Sequence, residues 1–494
     1  MRSVSPIMGI TSIEKSFPAI QLGEIPELSD AINADIAEMQ AQLSSVADRN
    51  YTRSTIYNAE QEFENMGVAI PAAFEEFANV LGWNAKAVDT LARRIKWNGL
   101  VTEGTPDRYS GLDRVFRETR FFSQLKMSIQ SMLIHGTSFV GVVKNGTNVR
   151  VHGLSARHAT GLWDPYRHGK LRCGMAVLDW GVTSVPVEVM LFYPDAYFRL
   201  TRKTGRDRWH VDRFPNPTGQ VTLHPLAFLA QLDKPWGQSR INRPMIGLTK
   251  SAARTFLRSE VSAEFYSFPQ LYALNMAPED AEKFVTSIGR FFAIDYERDE
   301  DGAPLEGAPP VDIKQVQVAS QQPHLDQLRT IAMMYAAETN LSPDKLGVIH
   351  DNPSSADAID RADGELNAIA EEACRDLSDV VLDIVQSIWG LENSSSQLPD
   401  EIVHLTCDWA DPGLTTRYSQ RMAVSSLATA GLVVPGAKVT YEAAGFSETD
   451  ATRMAAAWED HERRKNQQAI AEQALAARSS STTGPLIAAR EAGA

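Results

Sequence analysis

The sequence is short of cysteine and of basic charge, and each shortage excludes a class of protein. Cys173, Cys374 and Cys407 are the only cysteines in 494 residues. Their spacing fits neither a zinc ligand set nor a disulfide framework, and is typical of buried thiols in a reducing compartment. The formal net charge is −14, so we do not expect a basic surface that grips nucleic acid through its phosphates.

Long apolar runs are also missing. No stretch reaches the roughly 18 apolar residues of a membrane-spanning helix, and the first residues, MRSVSPIMGITSIEKSF, lack the apolar core of a signal peptide. We therefore expect a soluble protein made inside a cell. The hydrophobic content of 43% is that of a globular chain, and its length predicts two to four domains.

The short signatures of common enzymes are absent as well. No phosphate-binding loop and no glycine-rich dinucleotide motif occurs. The GQS at 237–239 lacks the closing glycine of a nucleophile elbow, so we interpret Ser239 as a turn residue or helix cap. The histidines show no metal-binding spacing, and we expect structural or solvent-facing roles for His135, His350 and His404. We predict neither a metal site nor a cofactor.

The N-terminal part of the chain has a helical pattern with few strand signals. Residues 1–26 are predicted to be an arm with weak intrinsic structure, and three helices follow at about 28–48, 70–97 and 112–135. We expect Gly99 to be the C-cap of the second helix and Gly136 to stop the third.

The apolar period then changes to two. Residues 137–230 are predicted to be mostly antiparallel sheet, with a hairpin turn at Asn145-Gly146 because both residues tolerate positive φ. The tryptophans of this region are expected to pack in the sheet; they are Trp163, Trp180 and Trp209.

A small insert lies between two helices of similar length. The helices are predicted at about 241–268 and after Pro323, and they would lead out to the insert and back. Within residues 270–318 we predict strands in QLYALNM, RFFAIDY and VDIKQVQV, and a short helix starting at Pro278. The ERDEDGAPLEGAPP segment between the last two strands is an acidic loop that we expect to be exposed.

The stretch GVIHDNPSSADAI, residues 347–359, places a strong helix start directly after a short apolar loop. Asn352-Pro353 breaks the chain, and Ser354 or Ser355 can cap an amphipathic helix over about 356–388. The helix carries many acidic residues that we interpret as a solvated face rather than a catalytic pair; they are Asp360, Asp363, Glu371, Glu372, Asp376, Asp379 and Asp383. Residues 413–477 are predicted to be helical and the end of the chain to be a disordered tail.

The order of these elements resembles the portal proteins of tailed bacteriophages. Four segments in this order carry the resemblance: VDTLARRIKWNGL at 88–100, LIHGTSFVGV at 133–142, PWGQSRI at 235–241, and NLSPDKLGVIHDNPSSADAI before the long helix. The resemblance covers about residues 50–400. It implies an α+β, mainly helical portal architecture.

The resemblance also implies a division of the chain into the parts of a portal subunit. These would be an N-terminal arm and helix (1–50), a wing (51–240), the first stem helix (241–268), a clip (269–318), the second stem helix (319–344), a tunnel loop (345–356), a long wing helix with its return (357–410), a crown (411–478) and a disordered tail (479–494).

Two loops are the site residues that the resemblance implies. The tunnel loop, which in the family lines the narrowest part of a DNA channel, would comprise Gly347, Val348, Ile349, His350, Asp351, Asn352, Pro353, Ser354 and Ser355. The clip loop, which would dock the packaging motor and the head-tail adaptor, would comprise Glu297, Arg298, Asp299, Glu300 and Asp301.

The implied function is a ring, usually of twelve subunits, at one capsid vertex of the virion, assembled in the host cytoplasm. Double-stranded DNA would pass through it during packaging and ejection. The implied partners are further copies of the chain, the large terminase subunit, the head-completion adaptor, and the major capsid and scaffolding proteins, with no membrane.

Two other interpretations stay open at the level of sequence. The chain could be a different structural protein of a phage head or tail, although the insert between paired helices favours a portal. It could also be a soluble enzyme whose site is assembled from His158, Asp164 and Asp195 at a sheet edge. We predict that the protein is not an enzyme.

Overall fold

The computed structural model describes residues 20–60, 81–103, 108–146, 148–181, 185–266, 271–276, 291–294, 307, 309–315, 320–347, 356–413 and 417–482. The chain comprises two compact units, Met1–Ala410 and Asp411–Ala494. The first unit mixes helices with several sheets and the second is helical in its described part, so the prediction of an α+β chain is confirmed.

The segment before the first helix is packed rather than loose. Ile20, Leu22, Ile25 and Leu28 are buried, and the Asn33 side chain both accepts from Ile25 N–H at 3.0 Å and donates to its carbonyl at 3.1 Å. Residues 20–25 form neither helix nor strand, as the prediction of weak intrinsic structure implies. They are nevertheless held in place, because their apolar side chains pack against a sheet that lies far along the chain.

Helix α1 (Asp30–Asn58) begins at the N-cap Ser29, whose hydroxyl accepts from Ile32 N–H. It continues ten residues past the predicted end at Asp48. A buried stripe of Ile36, Met39 and Leu43 explains its position against the core.

The next region corrects two helix boundaries. Helix α2 (Trp83–Ala92) ends five residues early, and Gly99 lies in strand β1 (Trp97–Thr102) with φ +149° rather than at a C-cap. Helices α3 (Asp113–Thr119) and α4 (Phe121–His135) replace one predicted helix, because Arg120 is left-handed with φ +53°. Helix α4 stops at Gly136 as predicted.

The predicted antiparallel region forms two sheets. One has the order β3-β2-β9 and the other the order β4-β5-β6-β7-β8. The strands are β2 (Thr137–Asn145), β3 (Asn148–Ser155), β4 (Ala159–Trp163), β5 (Leu171–Asp179), β6 (Glu188–Phe192), β7 (Ala196–Thr201), β8 (His210–Pro215) and β9 (Leu223–Ala227). Asn145 pairs with Asn148, so Asn145 is a strand residue and the hairpin turn begins one residue later than predicted.

The insert and its flanking helices agree with the prediction. Helices α5 (Arg243–Tyr266) and α6 (Gln322–Thr339) pack against each other. Between them, β10 (Leu271–Leu274) is the central strand, parallel to β11 (Phe291–Ile294) and antiparallel to β12 (Asp312–Gln315). The predicted helix at Pro278 lies outside the described residues.

The long helix α7 (Ala356–Asn393) packs against strands β2, β3 and β9. Its buried side chains join the main core, which also includes α2, α4 and β1. A short helix α8 (Asp400–Val403) leads to strand β13 (Leu405–Trp409), which pairs antiparallel with β1. This pairing was not predicted, because the two strands lie about 300 residues apart.

The second unit has three described helices, α9 (Arg417–Thr429), α10 (Lys438–Ala443) and α11 (Glu448–Thr482). Their order agrees with the predicted helical region and its interruption. Helix α11 continues to Thr482, a few residues into the segment predicted as a tail.

The packed N-terminal segment leads to a first prediction. Ile25 is 1% exposed, so we expect Ile25→Ala to lower the free energy of unfolding by about 2–4 kcal/mol, because a cavity remains where the side chain was. Chemical denaturation followed by tryptophan fluorescence measures the change, since Trp209 Nε1 donates to the Leu22 carbonyl at 3.0 Å.

The matched control is Gln21→Ala, at an exposed position of the same segment. It should stay within about 0.5 kcal/mol of the parent chain. Equal effects of the two substitutions would show that residues 20–28 contribute nothing to the core.

Candidate functional site

The structure describes the base of the predicted tunnel loop, although residues 348–355 themselves lie outside the described residues. Helix α6 ends at Thr339, and its C-cap Asn340 is left-handed with φ +52°. A 3₁₀ helix, Pro343–Leu346, follows, and Gly347 closes it with φ +85°. Helix α7 begins at Ala356, so the loop is bounded on both sides by regular structure.

One carboxylate connects the two sides of this loop. Asp363, on the second turn of α7, accepts from Lys345 Nζ at 2.6 and 2.9 Å. The same carboxylate accepts from Arg94 NH2 at 2.8 Å, and Arg94 Nε donates to Asn367 Oδ1 at 2.7 Å. Lys345 precedes the loop, Asp363 follows it, and Arg94 belongs to the turn after α2. We call Lys345, Asp363, Arg94 and Asn367 the loop clamp.

The central ion pair of the loop clamp is largely buried, and this burial favours a single arrangement of its residues. The Arg94 side chain is only 6% exposed and that of Asp363 is 19% exposed. A guanidinium in such a place needs a counter-charge and hydrogen-bond acceptors, because an unpaired buried charge costs several kcal/mol. Arg94 meets this requirement through Asp363, Asn367 and the Thr90 carbonyl at 3.1 Å. The start of α7 is therefore held to the turn after α2 in one arrangement.

A second set of buried polar contacts holds the paired helices. Tyr335 of α6 donates to Asn84 Oδ1 at 3.2 Å, and Asn84 Nδ2 donates to Thr249 Oγ1 of α5 at 3.0 Å. Trp83 lies against the Tyr335 ring with centroids 5.3 Å apart. Burial raises the pKa of Tyr335 far above its usual range, so its hydroxyl stays a donor. Helices α2, α5 and α6 thus share one buried contact region.

The far end of α7 is fixed to the sheets. His224 of β9 lies 2.9 Å from Ser387 Oγ, Lys170 pairs with Asp383 at 2.5 Å, and Lys144 Nζ donates to the Leu391 carbonyl at 2.8 Å. Burial raises the pKa of Asp383, while Lys170 opposes that shift. Helix α7 is anchored at both ends, and its first turns define where the loop returns.

The acidic face of α7 is therefore only partly solvated. Asp363 and Asp383 are ion-paired and half-buried, which contradicts the prediction for these two residues. Glu371, Glu372, Asp376 and Asp379 are exposed, as predicted. The surroundings of Asp360 lie outside the described part. Asp363 lies three residues before buried Leu366 and seven before buried Ala370. Its position on the apolar stripe of α7 was therefore the feature of the sequence that could have predicted its burial.

The structure confirms the non-catalytic roles predicted for His135, Ser239 and His404. His135 is buried, and its ring nitrogens lie 2.9 Å from Ser54 Oγ and 3.0 Å from the Ser131 carbonyl. Ser239 is buried in a turn, where it donates to the Ile134 carbonyl at 2.5 Å and accepts from Ile241 N–H at 2.9 Å. Exposed His404 contacts Glu103 at 3.2 Å. His350 lies outside the described residues, as does the predicted clip loop at 297–301.

The cysteines and tryptophans also behave as packing residues. Cys173 and Cys374 are buried and Cys407 is half-buried, all as free thiols, and burial raises the pKa of each to about 12. Trp163 lies against Trp236 with centroids 4.5 Å apart, and Arg202 covers the ring of Trp209 at 4.1 Å. Within the described ranges, no group of three His, Cys, Asp or Glu side chains could hold a metal ion.

The proposed enzyme site is not assembled. His158 and Asp164 flank the two ends of β4, which separates them by roughly 20 Å of extended chain. Asp195 lies between β6 and β7 and pairs with Arg213 at 3.1 Å. Burial lowers the pKa of His158 to about 4. These three side chains do not meet in a catalytic arrangement.

Comparison with known proteins identifies the family. The family model described as "Phage portal protein, SPP1 Gp6-like" matches residues 48–473, most of the chain. The chain therefore belongs to this family of phage portal proteins. The family is structural and non-enzymatic, and it forms the head-tail connector at the portal vertex of the virion. No helix in the described ranges is long and apolar enough to cross a membrane.

Individual relatives are distant. The portal protein of Mycobacterium phage L5 is 22% identical over 441 residues, covering 86% of this chain and 84% of the relative. That of Mycobacterium phage D29 is 22% identical over 404 residues, with coverages of 78% and 80%. Among solved structures, a chain from the neck of an empty gene transfer agent particle is 14% identical with a TM-score of 0.42, covering 77% of this chain and 95% of that chain.

The loop clamp generates a prediction about stability. Asp363→Asn leaves the buried Arg94 guanidinium without a counter-charge, so we expect the free energy of unfolding to fall by about 2–4 kcal/mol. Chemical denaturation measures the change from the unfolding transition of the first unit. Asp379→Asn, at an exposed position of the same helix, is the matched control and should change the unfolding free energy by less than about 0.5 kcal/mol.

The buried histidines generate a prediction about pH. Burial lowers the pKa of His224 to about 3 and of His135 to about 4, below the unfolded value of about 6.5. Between these values the unfolded chain binds protons that the folded chain does not. Stability is therefore full above about pH 6.5 and falls as the pH drops, by up to about 1.4 kcal/mol per pH unit for each such histidine.

Unfolding measured between about pH 4.5 and pH 7 tests this dependence, and His224→Gln should reduce the slope. Exposed His168 provides the control, because His168→Gln should leave the slope unchanged. A slope that does not respond to His224→Gln would show that this histidine is not buried in its neutral form.

Proposed function

We propose that the chain assembles into a closed ring, with twelve as the expected subunit number, at one vertex of the capsid. Double-stranded DNA passes through the ring during packaging and ejection. The observation that carries this proposal is the family match over residues 48–473. The paired helices around a small α/β insert and the clamped loop before α7 support it.

The parts of the subunit follow in this proposal from the order of elements. The wing comprises residues 51–240, the stem helices 241–268 and 319–344, the clip 269–318, the tunnel loop 345–356, the long wing helix and its return 357–410, and the crown 411–478. Residues 1–50 are the arm with its helix and 479–494 the tail. Buried hydrogen bonds connect both α5 and α6 to Asn84 of α2. They suit stem helices, because a stem must transmit force without bending.

The tunnel loop proposal rests on how the loop is held. Repeated copies of a loop define one opening only if each copy projects from the same fixed base. The Lys345–Asp363 and Arg94–Asp363 ion pairs supply this base, because they join the residues before and after the loop to the turn after α2. The loop sequence from Gly347 to Ser355 includes apolar Val348 and Ile349 and contains no Lys or Arg, so it offers the DNA phosphates no fixed ion pairs.

The charge of the chain supports passage rather than binding. Twelve copies at −14 each amount to about −170. Tight DNA binding requires basic contacts that release counterions from the phosphates, and an acidic ring opposes it. A duplex would therefore slide through such a channel.

Partners beyond DNA follow from the same proposal. The clip docks the large terminase subunit during packaging and the head-completion adaptor afterwards, with Glu297, Arg298, Asp299, Glu300 and Asp301 as the docking loop. The wing and arm meet the major capsid and scaffolding proteins in the host cytoplasm before the virion is complete.

Negative-stain electron microscopy of the purified chain tests the ring directly. We expect class averages viewed along the particle axis to show about twelve subunits around a central hole. Monomers or dimers at high concentration, with and without scaffolding protein, would contradict the proposal.

Deleting Val348 and Ile349 tests the tunnel loop. We expect the ring to form normally while packaged or retained DNA falls at least about tenfold, because a shorter loop no longer reaches the DNA. Complementation of a phage that lacks its own portal gene, with DNA measured per particle, provides the readout. The control replaces both residues with alanine, which keeps the loop length; normal packaging by the deletion variant would refute the proposal.

A further inference from the structure

A cavity whose lining includes none of the loop clamp residues opens beside helix α1 in the first unit. Its volume is about 320 Å³, which lies in the range of sites for small ligands. It is bounded by one face of α1, the end of α4, the start of β4 and the turn before α5. We call it the α1 pocket.

The charge of the α1 pocket is opposite to that of the chain. Its lining includes four cations and no Asp or Glu; the cations are Arg49, Arg53, Lys234 and Arg243. Within the described residues, none of the four forms an ion pair. In a chain with a net charge of −14, so many unneutralised cations around one cavity favour an anionic ligand.

The arrangement of these cations gives the pocket a rim and a floor. Arg49, Lys234 and Arg243 are exposed at the rim, whereas Arg53 is half-buried and donates to the His135 carbonyl at 2.7 Å. Burial lowers the pKa of Arg53 to about 10, and nearby Arg49 contributes to the shift. Arg53 stays charged at neutral pH, and a ligand carboxylate would relieve its repulsion with Arg49.

The floor of the pocket also holds an unused acceptor. Asn50 is 2% exposed and its Nδ2 donates to the Ala156 carbonyl at 3.2 Å, but its Oδ1 has no hydrogen-bond partner. A buried acceptor left unpaired costs free energy. A ligand that completes this site must therefore present a hydrogen-bond donor together with its negative charge.

We propose that the α1 pocket binds an acidic peptide segment of a partner protein. Glu or Asp carboxylates pair with Arg49 and Arg243 at the rim and approach Arg53, while a peptide N–H of the same segment donates to Asn50 Oδ1. Trp236 and Phe139 in the lining provide an apolar wall for the aliphatic part of the segment. An anion without a proton, such as sulfate, has the charge but not the donor, whereas a peptide has the donor, the charge and an aliphatic part for the apolar wall.

The proposal goes beyond the ring and the DNA channel, and it can be tested without either. Isothermal titration calorimetry of the full-length chain at low salt uses three probes: an end-blocked peptide of alternating Glu and Gly, the same peptide with Gln in place of Glu, and inorganic phosphate. We expect the Glu peptide to bind and the Gln peptide to bind at least about tenfold more weakly, because charge-assisted hydrogen bonds are lost.

Variants of the pocket provide the specific readout. Arg49→Gln and Arg243→Gln should each weaken binding of the Glu peptide about three- to tenfold. Gln42→Glu, which places a negative charge in the lining without removing a contact, should also weaken it. Arg206→Gln, which removes one positive charge at an exposed position between β7 and β8, is the matched control and should change nothing.

Three results would overturn the proposal. The first is no binding of the Glu peptide to a chain whose thermal melting shows that it is folded. The second is an equal loss of affinity in Arg206→Gln, which would show binding by net charge alone. The third is phosphate that binds as tightly as the peptide and displaces it, which would make the pocket an inorganic anion site.

Discussion

The described part of the loop region depends on one carboxylate. Asp363 receives Lys345 from the chain before the loop and Arg94 from the turn after α2, so three separate pieces of backbone meet at a single side chain. Because Arg94 is buried, the arrangement has few alternatives of similar energy. The geometry of the loop base is thus specified by electrostatics inside an otherwise apolar contact, and not by packing alone.

The same principle recurs along the helices that surround the loop. The Tyr335–Asn84–Thr249 chain joins α6, α2 and α5, and the His224–Ser387 contact joins β9 to α7. Each contact is buried and hydrogen-bonded, so sliding one element along another would leave polar groups unpaired. A helix held by apolar contacts alone could shift by a turn at lower cost. Polar contacts at fixed positions therefore set the register of the helices.

Local patterns in the sequence were sufficient for much of the fold. The period-two runs predicted most strands of 137–230, and the helical periodicity of 356–388 predicted the long helix. Such patterns are informative because the apolar residues of a strand or helix recur on the face that is buried. Longer-range features were not accessible. The β1–β13 pair joins strands about 300 residues apart. Arg120 adopts a left-handed backbone conformation, which the presence of an arginine does not indicate. Asp363 was interpreted as solvated because its partners Lys345 and Arg94 lie in other segments, 18 and 269 residues away along the chain. Its place on the apolar stripe was nevertheless visible in the sequence.

The β1–β13 pair has a consequence for how the protein is made. Leu100 pairs with Cys407, so the first unit is closed by a strand that leaves the ribosome only after all of its sheets and helices have been synthesised. Until then β1 has an open edge, and open edges can pair with other chains. Closing a contact of such long range is also slow. The nascent chain therefore spends most of its synthesis with an unfinished first unit, and β1 stays open to incorrect pairing until residues 405–409 have left the ribosome and paired with it.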